Sequence, residues 1–233
     1  MSAQPLRPVA LPEKMLGHLR RYAAVWLDRN WTISPHGEVN VPSDGPVILA
    51  ANHIGWLDGP VLILKAPRPA HALVKRELFA GKTGRFLTAA AQIPVNRLGT
   101  DVGALRTAAE ALLAGQVVII YPEGTRGDGE LKTVKGGAAW LALVSGAPVV
   151  PVAIFGTRPA GGNKDARPEK GAKIDVVYGE PISFPKTPWP RTAETIADTT
   201  KQIAQHLREH LAAAKELTGS ELPGPLPKAA VDA

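Results

Sequence analysis

Between Glu13 and Trp31 the apolar residues Met15, Leu19, Tyr22 and Trp26 recur at spacings of four, three and four, which marks one face of a helix. Lys14, Arg20, Arg21 and Arg29 give that helix a basic polar side. Helices lying in a membrane surface share this pattern with helices packed on a core, and both readings stay open. Short apolar runs follow at 47–51, 72–74, 117–121, 149–155 and 174–178, each of strand type. Helical stretches at 102–114 and 135–144 separate some of them. The alternation predicts an α/β single domain, with a largely parallel mixed sheet flanked by helices and preceded by an N-terminal amphipathic helix. Ile196, Ile203, Leu207 and Leu211 mark a closing amphipathic helix. Glu194 and Asp198 stand early in it and Arg208 late, as the helix dipole favours.

The 22 residues from 136 to 157 carry no charge and are long enough to cross a bilayer. Gly146, Pro148 and Pro151 interrupt them, so a buried helix, a turn and a buried strand are expected instead, and no transmembrane helix. The stretch from Met1 to Leu11 lacks the charged and apolar regions of a signal peptide. Residues 157–172 are rich in Gly, Pro and charge and read as an exposed loop. From Thr218 onward Pro223, Pro225 and Pro227 predict a flexible tail. The expected organisation is a domain over 1–217, its amphipathic helix at about 13–31 and its chemistry within about 46–180, followed by the tail 218–233.

With 45% hydrophobic and 21% charged residues the 233-residue chain has an ordinary globular composition, not that of a disordered or fibrous one. It has no cysteine, which excludes a disulfide framework, a thiol nucleophile and a Cys-zinc site. The net charge is +6, and the segment 65–106 carries eight Lys or Arg (65, 68, 75, 76, 82, 85, 97, 106) against Glu77 and Asp101. That segment predicts a positive surface able to attract anionic lipid headgroups or phosphorylated small molecules. An aromatic content of 5% and the lack of a recognisable motif argue against nucleic acid as partner. The six histidines are scattered and no His-Glu-x-x-His occurs, so no metal site is expected.

Two segments carry candidate chemistry. Asn52 ends a predicted strand, which puts His53 at a strand's carboxyl end, where open α/β sheets place their sites. Five residues apart on a regular helix, His53 and Asp58 would not share a face. They meet if the chain turns at Gly55 and Asp58 opens the next helix. Asp58 would then fix the imidazole tautomer and leave the other ring nitrogen as a base. In the second segment, Tyr121-Pro122-Glu123-Gly124-Thr125-Arg126, Gly124 permits close backbone approach and Arg126 can fork onto a phosphate. Thr125 and backbone amides add neutral donors, while Glu123 can orient Arg126 or accept from a substrate hydroxyl. Gly81-Lys82-Thr83 is not a phosphate-binding loop end, because Arg76 stands where the required glycine should be.

Taken in order, these elements resemble the glycerolipid acyltransferase family over about residues 46–180. Asn52, His53 and Asp58 match its His-x4-Asp motif, and Gln92-Ile93-Pro94-Val95-Asn96-Arg97 matches a small-residue entry ending in Arg. Tyr121 to Arg126 match its Phe-Pro-Glu-Gly-Thr-Arg motif with Tyr for Phe, and 149–154 matches an apolar strand containing Pro151. The resemblance implies transfer of an acyl group from a thioester, acyl-CoA or acyl carrier protein, to a lysolipid hydroxyl such as that of 1-acyl-glycerol-3-phosphate, with no further cofactor. His53 and Asp58 would be catalytic. Asn52, Lys75, Arg97, Glu123, Gly124, Thr125, Arg126 and Pro151 would bind substrate, with Lys75, Arg97 and Arg126 on the acceptor phosphate. Backbone N–H groups after His53 are candidates to receive the oxyanion. The implied partners are a lysophospholipid acceptor, the acyl donor and an anionic membrane surface, with the enzyme held peripherally on the cytoplasmic side. Alternatives are another lysophospholipid or glycolipid acceptor, or a non-catalytic peripheral protein that binds anionic lipid.

Overall fold

The computed structural model describes residues 5–97, 99–188 and 190–227. In chain order its elements are α1 (Lys14–Asn30), β1 (Thr32–His36), β2 (Val47–Ala51), α2 (Asp58–Lys65), β3 (Ala70–Lys75), α3 (Gly81–Ala89), β4 (Ile93–Val95), α4 (Val102–Leu113), β5 (Val117–Ile120), α5 (Gly137–Ser145), β6 (Val149–Phe155), β7 (Lys173–Tyr178) and α6 (Ala193–Thr218). The strands form one seven-stranded sheet in the order β1-β7-β6-β2-β5-β3-β4. Every pairing is parallel except β6 with β7. This is the α/β layered fold the alternation predicts. The charge-free stretch resolves into α5 and β6, joined through Gly146 in the left-handed region. Among the described residues no helix is long and apolar enough to cross a membrane.

Alternate strand residues feed two cores. Ile48 and Ala50 of β2 join Val118, Ile120, α4, α5 and α6 on one face. Val47, Leu49 and Ala51 join Val117, Ile119, α1 and α2 on the other. β2 lies near the centre of the sheet, buried at all five positions. The two strands absent from the sequence reading, β1 and β4, are the sheet's edges, and each contains a proline, Pro35 and Pro94. A residue without an N–H is tolerated at an edge, and it weakens the strand signal there. Pro151, by contrast, sits inside β6 opposite Ala50 of β2, and its carbonyl accepts from the Gly179 N–H at 2.9 Å.

Several expectations are corrected. In α1 the core side is Leu16, Leu19, Ala23 and Leu27, whereas Met15, Tyr22, Val25 and Trp26 face solvent. The helix therefore has a second apolar face beside the buried one. Arg20 leaves the basic side and donates to the carbonyls of Ala66 and Arg68. The cations of 65–106 do not all gather on one surface. Arg68 binds the carbonyls of Pro42, Gly45 and Gly115 at the amino ends of the strands, and Lys65 pairs with Asp28. The loop expected to be exposed from 157 begins with the buried residues Thr157 and Arg158. The tail expected to be flexible is bonded to the domain over 220–224, since Arg158 and Gly161 donate to the carbonyls of Gly224 and Pro223, and Ser220 donates to Asp175. Residues 228–233 of that tail lie outside the described residues.

Candidate active site

β2 and β5 are parallel neighbours, with Ala50 opposite Ile120, so the segments that follow them leave the sheet side by side at the same end. After β2 the chain turns through Asn52 to Leu57 before α2 begins at Asp58. Gly55 serves this turn by its lack of bulk. A Cβ there would stand 2.7 Å from the Thr157 carbonyl oxygen. Asn52 is fully buried and clamps β6 from both ends of its amide, donating to the Ile154 carbonyl at 3.0 Å and accepting from the Ile154 N–H at 2.8 Å. It ties the turn to β6.

His53 Nδ1 lies 2.7 Å from Asp58 Oδ2. That same oxygen accepts the N–H groups of Ile54 and Gly55 at 2.7 and 2.9 Å, while the Thr157 hydroxyl donates to Oδ1. A fully buried carboxylate is thus satisfied by four donors. With Nδ1–H committed to Asp58, Nε2 is the ring nitrogen available to take a proton. The two N–H groups after His53 are consumed by Asp58, which removes them as oxyanion donors. The imidazole lies on the ring of Tyr121, centroids 4.1 Å apart and planes 20° from parallel. Burial drives the Tyr121 phenol well above its ordinary pKa, with the Asp58 charge adding to the effect.

The turn 121–127 grips His53 from both sides. The His53 N–H donates to Glu123 Oε1 at 2.9 Å, and the Gly127 N–H donates to the His53 carbonyl at 2.9 Å. Glu123 therefore holds the neighbouring loop and does not orient Arg126. Burial raises its pKa to about 7, opposed by the His53 N–H and reinforced by Asp128 and Asp58. Gly124 has φ +74°, and a Cβ on it would meet Lys135 Nζ at 2.6 Å. Thr125 is exposed beside it. Arg126 reaches Asp165 Oδ1 and the Lys164 carbonyl, each at 2.8 Å. Arg97, just after β4, is close enough for the two guanidinium charges to interact. Desolvation and then the Arg126 charge lower its pKa. Lys75, the last residue of β3, pairs with Glu77 at 3.6 Å. Pro151 lies inside the sheet, apart from this group.

Asp58 and Glu123 therefore both contact His53, Arg126 follows on the same turn as Glu123, and Arg97 lies within electrostatic reach of Arg126. An imidazole whose Nδ1 is committed to a carboxylate, held by the turn that carries Arg126, can activate a hydroxyl on a molecule that carries an anion. Sequence reasoning missed Thr157, Arg158 and Lys135. Thr157 and Arg158 stand two and three residues beyond a fully apolar strand, and that position at a strand end was the available signal.

Comparison with known proteins places the fold and the family. The sequence model of the family described as Acyltransferase matches residues 32–155, just over half of the chain. The 1-acyl-sn-glycerol-3-phosphate acyltransferase of Bacillus subtilis is 30% identical over 179 residues, covering 76% of this chain and 87% of that one. The lyso-ornithine lipid O-acyltransferase of Pseudomonas aeruginosa is 35% identical over 141 residues, 58% of this chain and 54% of that one. Among solved structures, the 1-acyl-sn-glycerophosphate acyltransferase PlsC of Thermotoga maritima superposes with a TM-score of 0.57 at 25% identity, over 86% of this chain and 80% of that one.

Proposed function

Because the chain belongs to the acyltransferase family and is an enzyme of that type, we propose that it moves a fatty acyl group from a thioester donor to the free hydroxyl of 1-acyl-glycerol-3-phosphate. The observation that carries the reading is the 2.7 Å bond from His53 Nδ1 to a fully buried Asp58, which leaves Nε2 as the base. Nε2 takes the proton of the acceptor hydroxyl as its oxygen attacks the thioester carbonyl. The C–O bond forms, the C–S bond breaks, and the imidazolium returns its proton to the departing sulfur. A thiol of pKa about 8.5 leaves without a strong acid, so no covalent enzyme intermediate is needed. General base catalysis of this kind contributes about 10²–10⁴-fold. Arg97 and Arg126 hold the acceptor phosphate, which displaces Asp165 from Arg126.

The donor is acyl-CoA or acyl carrier protein, and the enzyme works on a membrane surface to which the exposed apolar side of α1 docks. The deciding assay follows thioester consumption by the purified protein with lysophosphatidate, with monoacylglycerol and without acceptor, with mass analysis of the products. Lysophosphatidate is expected to be acylated. Arg97→Ala and Arg126→Ala are expected to slow that reaction by roughly 10–150-fold, the equivalent of about 1.5–3 kcal/mol for a charged hydrogen-bond partner. Acylation of monoacylglycerol should change little. Equal loss on both acceptors would show the arginines to be structural. Failure to acylate lysophosphatidate while acylating lyso-ornithine lipid would move the acceptor to the class named for the Pseudomonas relative.

A further inference from the structure

We propose that Arg158, closed over by the tail segment 219–224, is a positioning residue for the catalytic pair. Arg158 is only 2% exposed, yet among the described residues no carboxylate lies within ion-pair distance of it. Its donors go instead to four backbone carbonyls. Nε donates to Ile54 at 2.8 Å, Nη1 to Gly162 at 2.6 Å, and Nη2 to Gly127 at 2.9 Å and Gly224 at 2.6 Å.

The choice of carbonyls is informative. Ile54 follows His53 directly and gives its N–H to Asp58. Gly127 is the residue whose N–H holds the His53 carbonyl. One guanidinium thus holds the carbonyl of the residue that follows the base and the carbonyl of the residue whose N–H binds the base's own carbonyl. The residue before it, Thr157, holds the outer oxygen of Asp58. A planar fork with five N–H donors suits this task, and an ammonium, a single point on a flexible stem, does not.

The tail completes the arrangement. It leaves α6 at Gly219, is tied by Ser220 to Asp175 at 2.8 Å, and brings the Gly224 carbonyl onto Arg158. Gly224 has φ +75°, a conformation that turns this carbonyl inward and that a β-branched residue resists. The tail therefore supplies one of the four acceptors that settle where the fork points. Displacements of about 1 Å at a reacting group cost up to about 10²-fold in rate, so this anchoring is felt at the reaction centre.

The inference rests on the acyl-transfer reading above. Turnover by the parent enzyme tests that reading, and turnover of variants relative to the parent tests this one. Arg158→Lys keeps the charge but loses the fork. It is expected to lower kcat about 10–100-fold with KM for both substrates within about threefold. Gly224→Val, in a surface tail, is expected to lower kcat about 3–10-fold without changing the melting temperature. The two act through one link, so the double variant should match Arg158→Lys within about twofold, short of the product of the two effects. The Nδ1–H proton resonance of His53, observed without substrate, should shift or broaden in both variants. Parent-like kcat per folded molecule in Arg158→Lys would overturn the proposal. So would multiplicative losses in the double variant, or an unchanged proton resonance.

Discussion

At His53 the ring, the N–H and the carbonyl are each held by a different partner, Asp58, Glu123 and Gly127. His53→Ala removes only the ring, so acyl transfer should fall by about 10²–10⁴-fold while lysolipid binding and the melting curve stay near the parent's. A variant as active as the parent in a clean preparation would dismiss the base assignment. Asp58→Asn should retain more activity, but it sets an amide against the N–H groups of Ile54 and Gly55. Part of its loss should therefore appear as lower stability. Glu123 offers a test in pH. Its folded pKa of about 7 exceeds that of an ordinary carboxyl, so the folded state holds a proton that the unfolded chain releases. Stability from this group is present below the unfolded value near 4.3 and is lost as pH rises toward 7. Glu123→Gln keeps an acceptor for the His53 N–H and cannot ionise. It should melt higher than the parent at pH 8, with the gap closing toward pH 5. A gap that stays constant with pH would mean Glu123 does not titrate in this range. The contact of His53 with Asp58 was legible because a turn at Gly55 brings residues of these two types together. Arg158 was not, since in a Gly- and Pro-rich segment an arginine reads as solvated, and only the fold reveals the four carbonyls around it.

Helix α1 shows what periodicity can and cannot resolve. The spacing of Met15, Leu19, Tyr22 and Trp26 gives the helix, but an apolar stripe carries no mark of what covers it. Leu27 is fully buried and Trp26 is 48% exposed, though they are neighbours in the chain. Leu27→Ala should destabilise the fold by about 2–5 kcal/mol. Trp26→Ser with Tyr22→Ser should leave the melting temperature alone and weaken binding to anionic vesicles. The basic residues Lys14, Arg21 and Arg29 on the same helix should make that binding fall with salt, as the screening length shrinks from about 10 Å at 0.1 M to about 3 Å at 1 M. Co-sedimentation with vesicles of graded anionic content measures both effects. Unaltered binding by the double serine variant would discard α1 as the docking element. The strands missed from sequence, β1 and β4, are short, proline-bearing and bonded on one side only, so each lacks the sustained apolar run that identified the central strands. α3 was hidden for a related reason. It begins Gly-Lys-Thr-Gly and buries only Gly84 and Leu87, which leaves almost no apolar period to read.

For the whole molecule, the order of helix and strand was legible because the central strands β2, β5 and β6 are buried at every position while α1, α4 and α6 are each buried along one face. The sheet order was not, because which parallel strands become neighbours depends on packing far along the chain. That order matters for what the enzyme accepts. The base follows β2 and the arginine turn follows β5, and neighbouring strands stand about 4.8 Å apart. Because the turn is bonded to both sides of the His53 residue, the backbone that carries Arg126 is held in place beside the backbone that carries His53. On the proposed reading, with Arg126 on the acceptor phosphate, the site acts as a gauge that favours molecules whose nucleophilic oxygen and phosphate are separated by the span of a glycerol backbone. Lengthening that span in a synthetic acceptor by one methylene, then two, should reduce kcat/KM stepwise, whatever the acyl chain attached.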